Sequence, residues 1–402
     1  MSTQSQPRRR IPVLVIVAGV ILAAGIIIAT RRKPEPPSLD YPPDASEAEQ
    51  IAFLMEEHIV PQGGAPVHGF VLYARNTSPG LEVHQAAGTI GRSDTPLDPD
   101  YQYNIASITK PVVATIILQL MEEGALSLDD PAGQYVADIE WLRYDELHIL
   151  NGTPHAADIT IDHLLQHRSG LADFFLDAET RFNISVLTHP QRTFSPQRII
   201  ETYYTYGMNE VPHFAPGEGY YYSDTNYVQL GLIIEQVTGQ SLPEAIRERV
   251  LEPSAMADTY FEYYEEAAGH VRRMDSFLGP FNMTRYINLS YEWAGGGLVS
   301  TTTDMAAFIT DLFAGAYFTS DETLALMLDN SANAAEGKTY ARGINHYTLN
   351  DTIYYGHGGF YGSLLVHEPQ QGVTISAHLA QATAPYDVSA LMDAIVAIVT
   401  GE

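Results

Sequence analysis

Runs that alternate apolar and polar residues stand near both ends of this 402-residue chain, and helical periodicity fills the space between them. Residues 68–75 and 81–90 alternate in this way, and Ser78-Pro79-Gly80 turns between them. A period of two is the pattern of strands with one buried face. Short strand-like runs return only toward the other end, at 339–347, 352–356, 361–367 and 372–379. Between the two groups, apolar residues recur at helical spacing near 107–122, 161–168, 196–206, 225–238, 242–251, 303–314 and 321–328. Ser46 caps a first helix over 47–60, and Tyr386-Asp-Val-Ser leads a last one to 399. This order predicts one sheet assembled from the two ends of the chain, with a mostly helical region inserted between them.

Apolar residues make up 45% of the chain, enough for a sizeable core. The net charge of -28 comes from scarce cations, since Lys+Arg is 21 against 49 for Asp+Glu. Such a surface repels nucleic acid and argues against a phosphate-binding role. Cysteine is absent, which excludes disulfides, thiolate catalysis and zinc–cysteine sites. Residues 11–29 form an uncharged apolar run of 19, with Arg8-Arg9-Arg10 before it and Arg31-Arg32-Lys33 after it. At helical rise such a run covers about 28 Å, close to a bilayer core, whereas a secretory signal core is about 7–15 residues. The expected organisation is a basic tail over 1–10, a retained single membrane span over 11–30, a Pro-rich linker over 31–45 and one domain over 46–402. Matching basic flanks leave the orientation of the span undecided by charge.

Only three lysines occur, at 33, 110 and 338. Lys110 follows Ser107 by three positions, in Ser107-Ile-Thr-Lys110, where a long apolar helix opens. On a helix these positions share a face. A serine hydroxyl needs a neighbouring base to take its proton, and a lysine that loses its own proton can serve. Ser-x-x-Lys is short enough to arise by chance, but two distant segments accompany it. Tyr222-Ser223-Asp224 stands just before the helical run at 225–238, with Tyr222 and Asp224 two positions apart. Tyr222 could relay a proton if Lys110 lowered its pKa from about 10. Farther on, His357-Gly358-Gly359-Phe360 follows a strand-like run, where glycines allow close approach of a substrate backbone. His163 and His167 have a zinc-like spacing, but no glutamate of a zinc protease lies between them. No Gly-x-Ser-x-Gly elbow occurs.

Taken in order, Ser-x-x-Lys, Tyr-Ser-Asp and His-Gly-Gly resemble the serine beta-lactamase-like family, which includes class C beta-lactamases, D-alanyl-D-alanine carboxypeptidases and related esterases. Leu164-Leu-Gln-His167-Arg-Ser169-Gly170-Leu171 and Gly296-Gly297-Leu-Val-Ser300-Thr resemble two further stretches of that family. The resemblance implies an α+β, beta-lactamase-like fold: an antiparallel sheet built from both chain ends, flanking helices and an inserted helical region. It implies Ser107 as acylated nucleophile, Lys110 as base, Tyr222 as proton shuttle and His357 in place of the lysine of Lys-Thr-Gly. The backbone N–H groups of Ser107 and Phe360 would form the oxyanion hole, and Asp224, Gly358 and Gly359 would contact substrate. No cofactor or metal is implied. Asp224 departs from the pattern, which has Asn there. An ionised Asp cannot donate a hydrogen bond to a substrate amide carbonyl, so esters are expected over amides and beta-lactams. The expected function is a membrane-anchored serine hydrolase, its catalytic domain outside the cytoplasm, acting on small esters or cell-wall-type D-amino-acid peptides. A non-catalytic penicillin-binding-like sensor and a beta-lactamase stand as alternatives.

Overall fold

The computed structural model describes residues 44–269 and 272–401. The expected membrane span and linker therefore lie outside the described residues.

Six strands form the main sheet: β1 (Gly69–Asn76), β2 (Leu81–Gly88), β3 (Asn345–Leu349), β4 (Thr352–Gly359), β5 (Ser363–Glu368) and β6 (Val373–Leu379). Their order is β3-β4-β5-β6-β1-β2, and every neighbouring pair is antiparallel. Strands from the two ends meet at β1 and β6, where Tyr73 faces Ser376 and Phe70 faces Leu379. The longer helices are α1 (Glu47–Glu57), α2 (Thr109–Glu122), α3 (Glu179–Thr188), α4 (Pro196–Thr205), α5 (Asp224–Thr238), α6 (Thr302–Phe313), α7 (Asp321–Leu328) and α8 (Val388–Thr400).

The period-two pattern divides the core. Phe70, Leu72 and Ala74 of β1 point to one face, where Ile51, Leu54 and Met55 of α1 and Leu391, Ile395 and Val399 of α8 cover them. Each such buried side chain contributes about 1.5–3 kcal/mol. Val71 faces the other way, into the larger core shared with the helical region. Helix α2 runs through that region and is apolar almost all round, as suits a helix buried on every side. Pro111 falls in its first turn, where a missing N–H costs nothing.

Some boundaries differ from those expected. The run at 339–347 is a strand only from Asn345 on. A β-carbon on Gly343 would come 2.4 Å from Ala114 Cβ, so this segment lies directly on α2 instead of joining the sheet ladder. The helix expected over 161–168 stops at Leu165, because His167 takes a left-handed φ of 58°. The run over 242–251 passes from an α-helix at Leu242–Ile246 into a π turn at Arg247–Leu251. Helix α3 has no counterpart in the periodicity; it starts at Ala178 without a side-chain cap.

Candidate active site

Ser107 sits in a 3-10 turn, Ala106–Ile108, that feeds straight into α2. Ala106 has φ of 47°, a conformation that a non-glycine residue holds only where its surroundings enforce it. One turn on, the fully buried Lys110 donates from Nζ to Ser107 Oγ at 3.1 Å and to Gly295 O at 2.7 Å. Asp224 Oδ1 lies 2.5 Å from the same nitrogen. The ring centres of Tyr222 and Tyr227 stand 4.9 and 5.3 Å from Nζ.

Asp224 is the first residue of α5. Its N–H donates to Asp173 Oδ2 at 2.5 Å, and Asp173 Oδ1 accepts from the N–H groups of Phe175 and Leu176 at 2.8 and 2.6 Å. Asp173 therefore fastens the loop at 173–176 to the start of α5. Burial, then the charge of Asp224, raises the Asp173 carboxyl above its ordinary range. The stretch ending in Ser169-Gly170-Leu171 supports the same helix: Ser169 Oγ donates to Asn226 Oδ1 at 2.5 Å, and Asn226 Nδ2 donates to His167 Nδ1 at 3.0 Å. His163 instead accepts the Thr160 N–H at 3.3 Å as a helix cap. The two histidines thus have separate packing partners, and among the described residues no group of His, Asp or Glu is placed to hold a metal.

Tyr222 and Ser107 both line the same cavity. The Tyr222 pKa moves opposite to expectation. Removal from water, then the Asp224 charge, pushes it well above 10. Lys110 Nζ stands 4.9 Å from the ring centre, and its charge does not offset these effects. Tyr222 is a neutral phenol.

His357 lies near the end of β4 and is buried. Its Nδ1 donates to Gly358 O at 2.7 Å, which leaves Nε2 to accept from the Tyr340 hydroxyl at 3.2 Å. Burial first, then the Lys110 charge, lowers its pKa to about 3. The imidazole is therefore neutral and brings no cation to the place where the resemblance expects a lysine. A β-carbon on Gly359 would come 2.2 Å from Ile105 O. The close approach is thus to the chain's own backbone, just before the nucleophile turn, rather than to a substrate.

A cavity of about 460 Å³ opens on Ser107. Tyr222, Asp224 and Phe360 line it; His357, Gly358 and Gly359 do not. Most of its wall is apolar. Phe174, Phe175, Phe182 and Val186 come from the loop and helix α3, and Phe281 and Met283 come from the segment opposite. Glu292 also lines it, accepting a hydrogen bond from the Tyr361 hydroxyl. Desolvation raises the Glu292 carboxyl to about 8, against the lowering effect of Tyr361. No local sequence pattern marks Asp173 or α3. The one local signal for Glu292 is its place before Trp293-Ala-Gly-Gly-Gly, the turn that aims Gly295 O at Lys110.

A family model described as Beta-lactamase matches residues 71–397. The curated relative "Esterase EstB" of Burkholderia gladioli is 33% identical over 198 residues, covering 48% of this chain and 45% of the relative. The chain thus matches less than half the length of that relative. Among solved structures, a D-stereospecific amidohydrolase from Streptomyces sp. superposes with a TM-score of 0.71 at 24% identity, covering 85% of this chain and 97% of the other. The D-amino acid amidase from Ochrobactrum anthropi SV3 superposes with a TM-score of 0.69 at 23% identity, covering 86% and 99%.

Proposed function

This chain belongs to the beta-lactamase family, and we propose that it is a serine hydrolase working through an acyl-enzyme on Ser107. The observation that carries the reading is the 3.1 Å hydrogen bond between Lys110 Nζ and Ser107 Oγ at the wall of the cavity. In this mechanism Ser107 Oγ attacks the substrate carbonyl carbon. Lys110, in its neutral form, takes the serine proton, and the Tyr222 phenol hands its proton to the leaving group and regains one from the Lys110 ammonium. The N–H groups of Ser107 and Phe360 stabilise the oxyanion where charge develops. Water then hydrolyses the ester on Ser107 and frees the enzyme.

The substrates are small esters or amides and peptides of D-amino acids, in keeping with the names of the relatives. Esters come first, because Asp224, paired with Lys110 at 2.5 Å, offers no hydrogen-bond donor to an amide carbonyl. We also propose that residues 11–29 anchor the protein as a single membrane span, with the catalytic domain outside the cytoplasm.

Three substrates test the enzymatic reading: p-nitrophenyl butyrate, a D-phenylalanine p-nitroanilide and a fluorescent penicillin, each with wild type and Ser107→Ala. Ester turnover that depends on Ser107 supports it. Turnover that survives in Ser107→Ala sinks it, and a protein inert to all three is the sensor instead.

A further inference from the structure

The catalytic cavity is lined by acids and by no bases. Among the described residues its wall carries Glu179, Asp224 and Glu292, and no Lys, Arg or His. Lys110 is the nearest cation, and it is fully buried behind the wall, where it donates to Ser107 and Gly295 and pairs with Asp224. His357, which could have supplied a second positive charge, is hydrogen-bonded to Tyr340 and to the Gly358 carbonyl, outside the cavity. The rest of the wall is largely hydrocarbon, led by Phe174, Phe175, Phe182 and Phe281.

Two physical consequences follow. An apolar acyl chain entering this space gains by leaving water. A carboxylate entering it loses its hydration and finds no cation to replace it. An ammonium is treated differently, because Glu179 and Asp224 at the wall can accept from it.

We infer that the cavity selects substrates whose acyl group is apolar and either uncharged or cationic, and turns away acyl groups that carry a carboxylate. This rests on the reading of Ser107 as the nucleophile. It narrows the substrate class by charge.

The test uses four p-nitrophenyl esters of one chain length: hexanoate, the mono-ester of adipate, the methyl adipate diester and 6-aminohexanoate. The adipate mono-ester and its methyl diester share a shape and differ in charge. With kcat/KM measured at pH 7, hexanoate and methyl adipate should lie within about threefold of each other. The adipate mono-ester should fall about 100-fold below them, and 6-aminohexanoate should stay within about tenfold of hexanoate. If methyl adipate is as poor as its acid, size rather than charge decides, and the inference is overturned. It is also overturned if the acid matches hexanoate. If no ester is turned over and a fluorophosphonate leaves Ser107 unlabelled, the nucleophile assignment itself has failed, and the inference goes with it.

Discussion

Ser107 and Lys110 lie one helical turn apart, so their contact depends on local geometry alone, and the sequence displays it directly. With three lysines in the chain, a Ser-x-x-Lys at the start of a long apolar helix is conspicuous. Ser107→Ala should remove ester turnover by at least about 1000-fold, while the circular dichroism spectrum and unfolding midpoint stay those of the wild type. Lys110→Arg should lose nearly as much activity as Lys110→Ala, because arginine keeps the charge but cannot give up its proton. Near-normal rates in the arginine variant would show that only the charge matters. At Asp224 the question is the acyl-donor site. Asp224→Asn supplies the missing donor, so D-phenylalanine p-nitroanilide turnover should rise at least about tenfold relative to p-nitrophenyl butyrate. An unchanged ratio would place Asp224 outside the substrate's path. His357 and Gly359 were legible as a motif but not in their contacts. Those depend on Tyr340 and Ile105, segments that no local pattern connects to them.

Elements built from strong periodicity were readable; those defined by what they pack against were not. The sheet from both chain ends, α2 and α5 follow from spacing. Helix α3 is short and uncapped, yet it supplies Phe182 and Val186 to the cavity wall. The contact between β4 and the turn before Ser107 gives a second kind of prediction. Gly359→Ala would press a β-carbon to 2.2 Å from Ile105 O, and the backbone there has little room to yield. We expect a loss of about 2 kcal/mol or more in urea unfolding, with a drop in kcat from displacement of the Phe360 N–H. Glu292 gives a third. Its folded pKa of about 8 stands above the ordinary carboxyl value of about 4.5, so the folded state holds a proton that the unfolded state releases. That contribution is full below about pH 4.5 and is lost as pH rises toward about 8. Glu292→Gln should therefore flatten the fall in stability across this window, by on the order of 3 kcal/mol after allowance for its partial exposure. Parallel slopes for wild type and variant between pH 5 and 8 would show that Glu292 is ionised in the folded protein throughout.

For the whole molecule, the proposed membrane span at residues 11–29 carries its own prediction. N-terminal sequencing of the native protein should find the run retained; a start between residues 25 and 45 would mean cleavage. Removing residues 1–34 should release an active enzyme that needs no detergent, since Ser107, Lys110 and Tyr222 all belong to the domain behind the linker. That truncated form also permits the most direct test of the central claim. Treated with a fluorophosphonate, its intact mass should rise by one adduct, and peptide mapping should place that adduct on Ser107, with none on the Ser107→Ala variant. An adduct on any other serine, or equal labelling of the variant, would contradict the account.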